Sequence, residues 1–181
     1  MKARTVLCCL CFWLGCVAIP STSYAQSASD NRSVTGQLND AKTTAAKIKK
    51  DAVQMQSFAF KSSLNWKTHQ DVLDKIKVNV NTLQQNMRGL QSHRAAASAW
   101  QQDAIDRITG LANDLATNMN ATIDRLNKSK DRPTAPPYPE YLKANAQIAS
   151  DLSDEINAAI DYAENKVKLD SLGQQLESSV K

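Results

Sequence analysis

The sequence predicts an all-α fold, an up-down-up-down four-helix bundle, and three observations carry that expectation. Between residues 26 and 132 only Gly36, Gly89 and Gly110 interrupt a chain dominated by Ala, Leu, Gln, Lys and Asn, with no proline at all. Such a composition leaves little to break a helix. Apolar residues recur at alternating three- and four-residue intervals, a spacing that gathers them on one stripe of a helix but scatters them over both faces of a strand. The breaks between periodic segments are short, and short turns join antiparallel neighbours. With 181 residues and 42% hydrophobic side chains, the chain is long enough to bury one proper core.

In the first segment, Val34, Leu38, Ala41, Ala45, Ile48, Ala52, Met55 and Ala59 alternate steps of four and three. The second reads Trp66, His69, Leu73, Ile76, Val80, Leu83, Met87 and Leu90, a heptad seam broken only by the histidine. In the third, Ala104, Ile108, Leu111, Leu115, Met119, Ile123 and Leu126 share a face, flanked by Ile105 and Ala112. The fourth places Leu142, Ala149, Leu152, Ile156, Ala159, Ala163 and Val167 together, with Ile148 and Ile160 beside them. These are amphipathic helices of roughly 25 to 40 residues each.

Each break carries its own chemistry. Ser62-Ser63-Leu64-Asn65 offers capping residues ahead of Trp66, and Ser98-x-x-Gln101 has the capping-box pattern. Four of the five prolines fall between Pro133 and Pro139, so residues 130–139 form the one true linker, with Pro139 suited to a first helical turn. A pair of long hairpins completed by dimerisation is the alternative packing. Charge is partitioned as well: residues 30–61 hold six bases and three acids, whereas residues 130–181 hold six bases and nine acids. Opposite charge on the first and last helices favours their pairing, although exposed ion pairs contribute only about 0–1 kcal/mol each.

The amino terminus reads as an export signal. Two positive charges in Met1–Arg4 precede an uncharged, mostly apolar run from Thr5 to Ile19, then Pro20 and a small-residue exit ending Ser23-Tyr24-Ala25. The run is shorter than the roughly 20 residues that span a bilayer. Cleavage after Ala25 gives residues 1–25 as signal peptide and 26–181 as a single helical-bundle domain, with no stable membrane span left. A rival site, Leu14-Gly15-Cys16, would lipidate Cys16, but Trp13 is bulky where such sites carry Leu. All four cysteines (Cys8, Cys9, Cys11 and Cys16) leave with the signal, so thiol nucleophiles, zinc–thiolate sites and iron–sulfur clusters are excluded for the processed chain. Its 20 basic and 18 acidic residues are too balanced to argue a nucleic-acid partner.

Chemistry-bearing motifs are scarce. The chain has only two histidines, His69 and His93. If one helix joins them they stand roughly 36 Å apart, too far to share a metal. No Glu-x-x-His, Gly-x-Ser-x-Gly or phosphate loop occurs. The carboxylates of Ser150-Asp-Leu-Ser-Asp-Glu155 lie on one exposed helix, where nothing separates their pKa values into an acid and a base. The topology does gather one cluster: Phe58, Phe60, Trp66, His69, Tyr138 and Tyr141 fall near one pole under the proline linker, with Asn145 a candidate polar group facing it. Trp100 and Tyr162 belong to the opposite pole. An aromatic pole either plugs the end of a bundle or binds a small ligand.

Trp66-x-x-His69, the run Trp100-Gln101-Gln102-Asp103-Ala104-Ile105-Asp106, and Pro139-Glu140-Tyr141 give the chain its resemblance to a group of exported, uncharacterised bacterial all-helical proteins. That resemblance implies a bacterial envelope setting and no particular activity. The expectation is therefore a non-enzymatic interaction or structural protein, periplasmic or secreted, with no cofactor, an envelope protein as partner, and homodimerisation open to it. The alternative is a small-ligand or haem carrier using the aromatic pole.

Overall fold

The computed structural model describes residues 30–61 and 63–180. The signal-peptide and Cys16 expectations lie outside them. Four α-helices follow one another: α1 (Arg32–Phe58), α2 (Trp66–His93), α3 (Ala99–Lys128) and α4 (Tyr138–Ser179), with a single 3-10 turn, Arg94–Ala96, between α2 and α3. They pack all-α, successive helices against each other, and α4 closes the square against α1. This is the up-down-up-down arrangement.

Local chemistry sets the ends. The Asn31 side chain accepts from the Ser33 N–H at 2.9 Å and starts α1, while Asn65 accepts from the Thr68 N–H at 3.0 Å and starts α2. Gln101 Oε1 accepts from the Ser98 N–H at 3.1 Å, the reach-back half of a capping box. Pro139 sits in the first turn of α4, where its missing N–H costs nothing.

The core is a continuous column from Val34 to Ile160, with α1 contributing Leu38, Ile48 and Met55 and α2 contributing Leu73 through Leu90. Fully burying each such Leu or Ile stabilises the fold by about 1.5–3 kcal/mol relative to exposure. Three details depart from the spacing alone. Phe58 rather than Ala59 closes the α1 seam, because Ala59 already caps the helix. In α3 the buried run is Gln101, Ala104, Ile105, Ile108, Ala112, Leu115, Met119, Thr122 and Leu126, so Ala104 and Ile108 stand as read while Leu111 and Ile123 are half-buried flanks. The third is Val167, which leaves the core altogether at 67% exposure. At 42 residues α4 outlasts partners of 27 to 30, and no helix among the described residues reaches far enough to cover Val167.

Polar groups inside the column are tied together. Asn145, 2% exposed, donates to Thr122 Oγ1 at 2.9 Å and accepts from Asn118 Nδ2 at 2.8 Å. Asn118 also donates to the Tyr141 carbonyl at 3.0 Å. An unpaired buried amide costs about 1–3 kcal/mol, so this network fixes the register of α3 against α4.

Candidate functional site

The linker pole brings together part of the expected aromatic set. His69, in the first turn of α2, is fully buried between Phe58 from the end of α1 and Tyr138 from the start of α4. Ring centroids lie 5.4 Å from Phe58, edge to face, and 5.5 Å from Tyr138. His69 Nδ1 and Tyr138 Oη are hydrogen-bonded at 3.1 Å. His69 Nε2 is buried with no partner among the described residues. Burial holds the His69 pKa below its ordinary value and raises that of the Tyr138 phenol, so both stay neutral near pH 7.

The remaining members stand apart. Trp66 is half-buried with the Lys130 ammonium 4.6 Å above its ring. Tyr141 is half-buried and enters the Asn118 network through its backbone carbonyl. Phe60 does not join the cluster: α1 ends at Phe58 and the chain turns, leaving this ring 88% exposed. Asn145 lies two helical turns along α4 from Tyr138 and spends its hydrogen bonds on Thr122 and Asn118, away from His69.

The opposite pole is held by polar contacts. Trp100 Nε1 donates to Asp30 Oδ1 at 2.7 Å, and Lys166 Nζ meets Asp30 Oδ2 at 2.9 Å. Burial alone would raise the Asp30 pKa, but the hydrogen bonds from Lys166 and Trp100 outweigh it and hold the carboxyl below its usual range. Buried Gln101 clasps Asn31 in both directions, accepting from its N–H at 2.8 Å and donating to its carbonyl at 3.0 Å. Trp100 also packs on Tyr162 of α4, with centroids 4.9 Å apart.

Beyond that pole α4 runs on uncovered by the other described helices, tied back only through Lys166 and Asp30 among the described residues. Ala163 is its last buried residue, and from Glu164 to Ser179 every side chain except that of Lys166 is exposed. About 16 residues of helix project by roughly 24 Å. Leu169, Leu172 and Leu176 are 68%, 54% and 67% exposed. With Tyr162 seven residues before Leu169 and Val180 four after Leu176, they make one heptad stripe.

No family model, curated protein or solved structure matches this chain.

Two grooves flank the root of the projection. One, of about 320 Å³, lies between α3 and α4 and is lined by Trp100, Arg107, Glu155 and Tyr162. The other, about 560 Å³, lies between the start of α1 and α4, with Asp30, Arg32, Asn39, Lys166 and Asp170 on its walls. No helix of the described residues is long and apolar enough to cross a membrane. The leucine stripe was missing from the sequence-based candidates. Its signal was a shift of phase: the core seam runs Ile156, Ala159, Ala163, whereas Leu169, Leu172 and Leu176 follow the line of Tyr162.

Proposed function

We propose that this protein is an exported, non-catalytic helical interaction module of the cell envelope, with the projecting end of α4 as its docking element. The observation that carries the reading is the Leu169–Leu172–Leu176 stripe, left in water by a chain that buries its other seams almost completely. Exposed apolar rows of this kind mark interaction surfaces. A heptad stripe is matched by another helix, because knobs at three- and four-residue spacing need holes at the same spacing. The export signal read from residues 1–25 supplies the compartment.

A photoreactive residue in place of Leu172, irradiated in intact host cells, tests this. The expected result is a covalent adduct of discrete mass, missing when the probe replaces Ser171 on the far side of the helix. No adduct of any mass would overturn the docking role. A second reading, a small-ligand carrier, is favoured by one observation, the buried and unpartnered His69 Nε2 between two aromatic rings. A visible spectrum and native mass of protein purified from its own host decide it: mass beyond the polypeptide is expected if it holds, and a colourless chain of polypeptide mass removes it.

A further inference from the structure

Resting on the docking role just proposed, we infer that the occupant of the α4 stripe is a second copy of the same helix, laid antiparallel across it.

The direction follows from where the stripe points. Tyr162 packs against Trp100, so the stripe faces the same side of α4 as α3 does. A parallel partner would continue past Tyr162 into the space that α3 occupies. An antiparallel partner ends there instead, its last turn arriving at the groove of Trp100, Arg107, Glu155 and Tyr162.

The register follows from the length of the projection. If each projection overlaps the other fully, Ala163 stands level with the partner's Val180, and the two-fold axis passes between Ser171 and Leu172. Leu169 then enters the gap between the partner's Leu172 and the partner's Leu176, and the same contact repeats by symmetry. At 100° per residue, Lys166 and Glu177 lie on the same flank of the stripe, and this register sets the partner's Glu177 level with Lys166, whose ammonium also holds Asp30 of its own chain. Lys168, on the other flank, comes level with the partner's Gln175. Gly173 adds no side chain near the axis and has open space around it. From Glu164 to Lys181 there are three acids and three bases, so two copies approach without net repulsion. A neutral strip of this kind has nothing to draw it to an anionic membrane or a nucleic acid.

One helix face of this length offers less than the roughly 800 Å² per partner of a stable interface, so the pairing is reversible and depends on concentration. Sedimentation of the full chain from about 1 to 300 μM is expected to pass from monomer to dimer. Leu172→Glu, at an exposed position, is expected to remain monomeric throughout with unchanged helicity. Mapping a photo-cross-link from position 176 is expected to recover the partner peptide around Lys166–Leu169. A chain that stays monomeric, a dimer that Leu172→Glu leaves intact, or a cross-link from position 176 to itself would each overturn the proposal. A monomer that still forms a larger adduct in cells would overturn self-pairing alone and leave the docking role standing.

Discussion

His69 occupies a place where a charge has no solvent and no counter-ion. Its neighbours are Phe58 and Tyr138, both uncharged, and burial keeps the imidazole neutral. The folded-state pKa lies below the unfolded value of about 6.5. Below that value the unfolded chain takes up a proton that the native state refuses, so stability falls as pH drops from about 7 toward the depressed native pKa. Urea unfolding at pH 8, 6.5 and 5.5 is expected to show this loss, and His69→Phe to flatten it. At pH 8 the same change forfeits the Tyr138 hydrogen bond, about 1 kcal/mol. A His69→Phe protein as acid-sensitive as the parent would refute the assignment. Asp30 works in the same direction but in a lower pH window. Its lowered pKa contributes stability that is present at neutral pH and lost only at strongly acidic pH, beneath the ordinary carboxylate range.

At the scale of the helix, α4 is two objects in one. As far as Lys166, which pairs with Asp30, it is a bundle wall; beyond that residue, among the described residues, its own hydrogen bonds are all that hold it, and isolated helices of this length are marginal in water. Ending the chain after Lys168 is expected to shift the unfolding free energy by less than about 0.5 kcal/mol, since no buried contact is lost. Thermal melts of the two chains check it, and a drop of several degrees would mean that the projection packs on the bundle. The sequence made the helices legible because packing demands the spacing: all seven seam residues of α2 from His69 to Leu90 are buried as read. It did not make the limit of α4 legible. Periodicity states which residues share a face, but the length of the neighbouring helices decides whether that face is covered, and so Val167 was misplaced. The pole was half legible for a related reason. His69, Phe58 and Tyr138 follow from topology, while the exposure of Phe60 depends on where one helical turn stops.

Across the molecule the core runs unbroken between two differently built ends. One is closed by rings around His69, the other by the Asp30, Trp100 and Gln101 contacts. A single column implies a single cooperative transition. Trp66 and Trp100 report the two ends separately, so Trp66→Phe and Trp100→Phe proteins, each normalised to its own midpoint, are expected to give fluorescence and far-UV dichroism curves that coincide. Fluorescence that moves ahead of dichroism in either protein would show one end opening first. Of the four ion pairs among the described residues, Lys49 to Asp154 joins basic α1 to acidic α4 as the charge partition anticipates, whereas Lys166 to Asp30 reverses the sign. That reversed pair has a topological meaning. It brings the start of the packed chain to within 2.9 Å of the last turn of α4 that the bundle uses. The packed chain is therefore close to a closed ring, and the order in which its helices are made is not intrinsic to their packing: cut in the proline linker and joined from Lys166 to Asp30, the same four-sided column would begin with α4 and end with α3.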